Sequence, residues 1–233
     1  MVDMIKGLAE CGIPESVCGE LAEQMEKYIK EIILFNSAYN LTNTSDRDEL
    51  VVRHIFDSLA AFPELVKVCE KLNENRTEFA QLFVIADIGS GGGLPGIPLA
   101  TAFRLCCQEN KLLENFRFEL VERMEKRCSF LENCAAILGL KNVTVVNSEA
   151  ERVAENSYDL ITFRAFRPLD KKMTKTLLRI VKDKGYLCAY KAKQENIKEE
   201  MSAISALVPE YDIRKLAVPG LEDSERNLVI VRK

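Results

Sequence analysis

The stretch DIGSGGGLPGIPLA, residues 87–100, holds five glycines and two prolines in fourteen residues. It follows directly on the apolar run LFVIADI (82–88). A short apolar run that ends in bare backbone reads as a buried strand opening into a ligand loop. Pro95 suits the first turn of the helix that follows. In open α/β sheets ligands bind beyond the carboxyl ends of the strands, where strand order reverses. A tight strand-to-helix turn needs one or two glycines, and five exceed that need.

The rest of the chain continues the same grammar. Strand-like segments are LFVIADI, FRFELVE (116–122), NVTVVN (142–147), YDLITFRA (158–165) and GYLCAYK (185–191). Between them the spacing predicts helices over 95–105, 123–138 (closed by Gly139), 171–181 and 195–207. Strands alternating with helices imply a parallel sheet covered on both faces. The tail departs from this: YDIRKLAVPG (211–220) and RNLVIVRK (226–233) read as two strands joined by a turn at an antiparallel edge. Upstream, Val17, Leu21, Met25, Tyr28 or Ile29, Ile32 and Ile33 recur at helical spacing over 15–35. A second amphipathic segment covers 49–61, and Pro63 opens a third that fades near NENRTE (73–78). Between the first two, Ser45 or Asp46 is the candidate N-cap. The expected organisation is a helical N-terminal extension, 1–80, on a doubly wound α/β domain, 81–233.

Composition narrows the function classes. At 233 residues, 47% hydrophobic and without Trp, the chain is an ordinary globular one. The opening MVDMIKGLAECGIPES has no long apolar run behind basic residues, and no uncharged stretch is long enough to span a bilayer. No membrane partner is expected, and the expected address is the cytoplasm. Eight cysteines (11, 18, 69, 106, 107, 128, 134, 188) contain no CxxC pair, and His54 is the single histidine. They read as small buried or half-buried hydrophobes, with no metal site expected. Between Arg164 and Lys193 ten basic residues face two acids, a local +8 that leaves −12 for the rest of a chain of net charge −4. That asymmetry fits either a polyanion-binding face or a lysine-rich solvated helix.

The loop admits two ligand readings. GGGLPG, with Gly91, Gly93 and Gly96, matches the dinucleotide fingerprint GxGxxG. Read from the strand end, however, the pattern is Asp87-x-Gly89-x-Gly91-x-Gly93. An acid there can accept from an amine-bearing ligand or from nearby backbone, but repels a pyrophosphate. S-adenosylmethionine has no phosphate and carries an ammonium and a sulfonium, so the acid-first register favours it over NAD. At the end of the next strand, Glu122 can take both hydroxyls of a ribose. It lies far from the glycines because of LCCQENKLLEN (105–115), read as an inserted loop; the alternative for Glu122 is a helix-start acid favoured by the helix dipole. After the third strand, Ala150 and Glu151 fall where an adenine edge would lie, and after the fourth, Arg164 sits at the sheet's carboxyl edge.

Together with SAYNLTN (37–43), VVRHIFDSL (51–59), LVERMEKRCSFL (120–131), SEAER (148–152) and FRAFRPL (163–169), the glycine stretch resembles one family. It is that of the bacterial small-subunit ribosomal RNA guanine-N7 methyltransferases, also called glucose-inhibited division protein B. The resemblance covers most of the chain, and GLPGIPLA and RHIFDSL carry more of it than the glycines. It implies a class I methyltransferase fold with a mostly parallel seven-stranded sheet. It also implies S-adenosyl-L-methionine as cofactor and a guanine in the decoding-region loop of 16S rRNA as acceptor. The family's cofactor contacts fall on Gly89, Leu94, Ala150, Glu151 and Arg164; Asp87, Gly91, Gly93 and Glu122 join them from the loop and strand-end readings. Two features depart from the family pattern: the insert at 106–115, and Lys191-Ala192 where a Lys-Gly pair is common.

Guanine N7 carries a lone pair and no proton, so its methylation needs no general base, and no catalytic base is assigned. Rate would come from holding N7 close and in line with the methyl group. No proline precedes proline or cysteine, so the Pro-Pro loop of exocyclic-amine methylation and the Pro-Cys nucleophile of cytosine-C5 methylation are missing. A base buried in RNA must be turned out, and its flanking phosphates need cations. Candidates for that face are Arg164, Arg167, Lys171, Lys172, Lys191 and Arg123, with Lys126 and Arg127 beside it. Asn40, Arg53 and His54 lie in N-terminal segments that could cap the site, although a lone histidine also reads as a satisfied structural residue. The expected partner is 16S rRNA or the small ribosomal subunit, met by a monomer. Rival readings are a small-molecule methyltransferase, a non-catalytic rRNA-binding or assembly factor, and an NAD(P)-dependent oxidoreductase.

Overall fold

The computed structural model describes residues 1–74, 82–165 and 169–233. Its N-terminal helices are α1 (Met4–Glu10), α2 (Glu15–Tyr39), α3 (Arg47–Leu50), α4 (Asp57–Leu59) and α5 (Phe62–Glu74). Helix α2 runs past the expected end to Tyr39 and stops where Asn40 turns left-handed, φ 49°. Of the two candidate caps it is Asp46 that accepts from the Glu49 N–H, at 2.9 Å. The helix expected over 49–61 is not uniform: between α3 and α4, Val51–Phe56 is π-helical. Such wide turns recur at functional sites, and this one carries Arg53 and His54.

Strands β1 (Phe83–Ile88), β2 (Phe116–Glu122), β3 (Val143–Asn147), β4 (Tyr158–Arg164) and β5 (Val181–Lys191) are parallel, and β6 (Asp212–Lys215) and β7 (Asn227–Arg232) complete the sheet. The order is β3-β2-β1-β4-β5-β7-β6, with β7 antiparallel to both neighbours. The antiparallel tail expected from sequence is therefore present, with β7 inserted inside β6. Strand order reverses between β1 and β4, and that switch point is where the glycine loop emerges. Strand β5 begins four residues earlier than its apolar run suggests, at Val181, which ends the preceding helix at Ile180.

Successive side chains of the central strands feed two cores on opposite faces. Phe83, Ile85, Phe118, Leu120 and Leu160 join one buried cluster; Ala86, Ile88, Val121, Ile161 and Phe163 join the other. The first face is covered by α6 (Gly96–Cys106), α7 (Glu125–Ile137) and the N-terminal helices, whose Met4, Leu21, Met25, Phe56 and Leu72 belong to the same cluster. The second is covered by α8 (Lys171–Ile180) and α9 (Gln194–Ala203), through Met173, Leu177, Ile197 and Met201. The helical segment is thus packed into the sheet's own core, and the boundary expected near residue 80 lies outside the described residues. The insert before β2 is not shapeless: α6 runs to Cys106, and Lys111–Asn115 forms a 3₁₀ turn. Seven cysteines are buried and Cys107 is half-buried, all as free thiols, in line with their reading as small hydrophobes.

Candidate active site

The loop between β1 and α6 is tied to β2, because the Gly89 and Ser90 N–H groups both donate to the Val121 carbonyl, at 2.8 and 3.1 Å. Gly89, Gly91 and Gly93 adopt positive φ (70°, 58° and 91°), which bare backbone tolerates best. The glycines nonetheless differ in what they make room for. A Cβ at Gly93 would lie 2.6 Å from Ile97 Cγ1, and one at Gly96 would lie 2.3 Å from Leu120 Cδ2, so both are bare because the core closes on them. At Gly91 a Cβ would meet the Gly89 carbonyl oxygen at 3.8 Å and Arg127 Nη1 at 4.0 Å, ordinary van der Waals contact with no clash. The Gly92 carbonyl accepts from the buried Tyr28 hydroxyl, which pins the loop to α2. Leu94 is buried beside it.

Asp87, the next-to-last residue of β1, lies beneath this loop, almost fully buried. Its Oδ2 accepts from Ser90 Oγ at 2.6 Å and from the Gly96 N–H at 3.0 Å. Of the partners open to an acid here, nearby backbone and Ser90 are those it meets. Burial pushes its pKa up to about 6, against those two bonds. Its Oδ1 is buried without a partner among the described residues.

Beyond the strand ends, Gly89, Glu122, Met124, Arg127, Ala150 and Glu151 line a cavity of about 270 Å³. Glu122 is the hinge of that cavity: Oε2 accepts from the Gly91 N–H (3.0 Å) and Oε1 from the Met124 N–H (2.9 Å). A carboxylate has about four acceptor positions, so capacity for two ribose hydroxyls is left. The 3₁₀ turn Ala150–Arg152 forms the opposite wall, its Ala150 and Glu151 carbonyls reached by Arg179 Nη2. The insert has not moved Glu122 away from the loop: the parallel register of β1 and β2 brings them together despite it. A clash-free approach at Gly91, spare acceptors on Glu122 and Ala150 on the opposite wall fit the adenosine part of a ligand that carries no phosphate.

A second cavity, about 570 Å³, adjoins the first, and Ala165 lines both. Arg53, His54, Arg164, Lys191 and Arg226 contribute its polar wall. Arg164 Nη1 donates to Asp57 Oδ2 at 2.6 Å and to the Arg53 carbonyl at 3.2 Å, while its Nη2 lies 3.1 Å from His54 Nδ1. Arg226 Nε donates to the other Asp57 oxygen at 2.9 Å. One buried carboxylate thus holds two guanidinium groups, one at the end of β4 and one just before β7, the strands on either side of β5. Guanidinium only donates, so His54 Nδ1 is the accepting nitrogen and the proton sits on Nε2. Burial, then Arg164, pushes the His54 pKa down to about 4, outweighing Asp57, so the ring is neutral near pH 7.

The remaining expected residues fall at different distances from this centre. Arg123 lines the nucleoside cavity and is exposed. Asn40 caps α2, and its carbonyl accepts from Arg127 Nη2 at 2.9 Å, which closes the N-terminal segment over the glycine loop. Lys191 is paired with Glu200 at 2.6 Å. Lys171 and Lys172 are exposed at the start of α8 and line neither cavity. Arg167 lies outside the described residues. The +8 segment does not form one face: Lys182 and Lys184 stand at the start of β5, the far end of the sheet from Lys191, and Lys182 is paired with Asp159 at 2.9 Å. Asp57, Arg226 and Tyr190 were not anticipated. Asp57 alone left a signal, three residues after His54 in VVRHIFDSL.

A seven-stranded sheet of this order, with a glycine loop after β1 and a carboxylate closing β2, defines a class I S-adenosylmethionine-dependent methyltransferase. The fold is similar to the crystal structure of an S-adenosylmethionine-dependent methyltransferase from Aquifex aeolicus, with a TM-score of 0.50 at 19% identity over 80% of this chain and 93% of that one. The profile of the family rRNA small subunit methyltransferase G, GidB, matches residues 21–229. Among its relatives, the ribosomal RNA small subunit methyltransferase G of Treponema denticola is 40% identical over 99% of this chain and 93% of its own length. The Bacillus subtilis protein of that name is 30% identical over 99% and 89%. The chain belongs to the GidB family.

Proposed function

We propose that this chain transfers the methyl group of S-adenosylmethionine to N7 of one guanine in the decoding-region loop of 16S rRNA. The observation that carries the reading is the meeting of two cavities at Ala165, one suited to a nucleoside and the other walled by Arg53, His54, Arg164 and Arg226. The cofactor supplies a methyl group on a sulfonium, ready for in-line displacement. Gly89, Gly91 and Glu122 bind its ribose side, and Ala150 and Glu151 border the adenine side. Asp87 holds the loop in shape from below.

At the acceptor the lone pair of N7 attacks directly, and no residue has to take a proton. The second cavity agrees with that requirement. His54 is neutral but its accepting nitrogen is engaged by Arg164, and Asp57 is engaged by two arginines, so neither is a free base. Holding N7 close and in line is then the main contribution the protein makes. The exposed cations Arg53 and Arg123, one on each cavity, suit the phosphates flanking a turned-out base, and the exposed Lys171, Lys172 and Lys193 add positive charge outside the cavities. We assign 16S rRNA or the small ribosomal subunit, in the cytoplasm, as the partner and a monomer as the working form. No helix among the described residues is long and apolar enough to cross a membrane.

Mass spectrometry of 16S rRNA from cells with and without the protein tests the proposal, with loss of a single 7-methylguanosine expected. Transfer to small amines or phenols but not to RNA would overturn it. Transfer to RNA should weaken steeply as salt rises, because phosphate contacts release counterions.

A further inference from the structure

The second cavity is rich in hydrogen-bond donors, yet most are engaged within the protein. Arg164 and Arg226 share Asp57, Lys191 Nζ meets Glu200, the Tyr190 hydroxyl donates to the Ser58 carbonyl at 2.7 Å, and Asn227 Nδ2 donates to the Ala192 carbonyl. Arg53 is exposed and reaches Glu49 at 3.8 Å. His54 differs. Its Nδ1 is fixed as the acceptor from Arg164, so Nε2 bears the proton, and among the described residues Nε2 has no partner.

The acceptor chemistry calls for one donor of this kind. On the edge that carries N7, guanine presents O6 as a second acceptor, whereas adenine presents an amino donor beside N7. Methylation of N7 also leaves the purine positively charged. A neutral donor can bind O6 without opposing that charge, and the cavity's buried cations each face a carboxylate.

We propose that the Nε2–H of His54 donates to O6 of the acceptor guanine and thereby selects guanine over adenine. This rests on the guanine-N7 reading of the site. The π-helical turn places the imidazole there, and Arg164 acts as the positioning residue that fixes its tautomer. His54 is then a specificity-determining residue and takes no proton in the reaction.

Because His54 is the only histidine, protein labelled with ¹⁵N-histidine reports on a single ring. The spectrum should show a protonated Nε2 and a bare Nδ1; the opposite tautomer would overturn the proposal. The second arm uses 16S rRNA, free and assembled into small subunits, whose acceptor guanine is kept or replaced by 2-aminopurine, which retains N7 and lacks O6. Loss of O6 should slow wild-type transfer on the order of tenfold to a hundredfold. His54→Gln, whose amide nitrogen takes the place of Nε2, should keep that penalty. His54→Asn, whose amide reaches only the place of Nδ1, should lose it. An equal penalty in all three proteins would overturn the proposal. Absence of transfer to guanine by the wild type would instead remove the functional reading on which it rests.

Discussion

The glycine loop yields a prediction in which two neighbouring substitutions separate packing from ligand space. In Gly93→Ala the added methyl would stand 2.6 Å from Ile97 Cγ1 and 2.9 Å from both Leu131 Cδ2 and the Tyr28 hydroxyl, at φ 91°. Overpacking of that kind costs about 1–3 kcal/mol, and the left-handed backbone adds about 1–2 kcal/mol. In Gly91→Ala the methyl has no neighbour closer than 3.8 Å, so only the backbone penalty at φ 58° applies. At about 3 °C per kcal/mol for a domain of this size, Tm should fall by roughly 3–6 °C for Gly91→Ala and roughly 6–15 °C for Gly93→Ala. Affinity for S-adenosylmethionine should rank differently. Gly91→Ala puts its methyl between the Gly89 carbonyl and Arg127, on the cavity side of the loop, and binding should weaken at least tenfold, about 1.4 kcal/mol. The larger Gly91→Val should abolish it. Differential scanning fluorimetry gives the first quantity and titration calorimetry the second. Wild-type affinity in Gly91→Ala would refute the assignment of that space to the cofactor, and an equal Tm loss in both would refute the packing argument.

Three further outcomes follow from the same geometry. Asp57→Ala leaves Arg164 and Arg226 facing each other without their shared carboxylate, so urea unfolding should show a loss of about 3–5 kcal/mol; a loss below 1 kcal/mol would mean the triad is solvated. Tyr28→Phe removes the donor to the buried Gly92 carbonyl and should lower stability by about 1–3 kcal/mol, read in the same assay. Two groups titrate with opposite sign below neutrality. His54, facing Arg53 and Glu49 on its own helix, Asp57 after it and Arg164 from β4, has its pKa lowered to about 4. Folding therefore loses stability as pH drops from about 6.5 to 4, by up to about 3 kcal/mol. Asp87, facing Ser90, Gly96, Glu122 and Arg164, has its pKa raised to about 6. Folding gains stability over nearly the same fall in pH. The His54→Gln variant should thus gain more stability than wild type between pH 6.5 and 4, and identical pH slopes in the two proteins would contradict the buried, neutral histidine.

Much of the frame was legible in the residues. Short apolar runs, helical spacing and the glycine run set out the alternating α/β domain, because burial on both faces makes a strand continuously apolar and burial on one side makes a helix amphipathic. The strand-end rule pointed to Glu122, Ala150 and Arg164 before any strand was paired; the structure sets the first two on the smaller cavity and Arg164 on the larger, and residues 211–233 already read as an antiparallel edge. Local pattern was weaker where a neighbour in space supplied the cause. Gly93 counted as a ligand glycine and Gly96 closed the dinucleotide pattern, yet the side chains of Ile97 and Leu120 are what require them bare. A uniform helix was expected over 49–61, and its π-helical middle has no composition signature. The +8 segment fitted either one face or a solvated helix, and a parallel β5 sends its lysines to opposite ends of the sheet.

By itself the sequence determined the class of fold, the switch-point loop and the carboxylate beside it, since each depends on residues within one strand–loop–helix unit. Only the tertiary structure decided the second cavity. Asp57 and Arg226 are 169 residues apart, and they meet because β7 is inserted between β5 and β6 while the N-terminal helices pack on the same edge. Strand order and layer packing are long-range choices, and no periodicity along the chain records them.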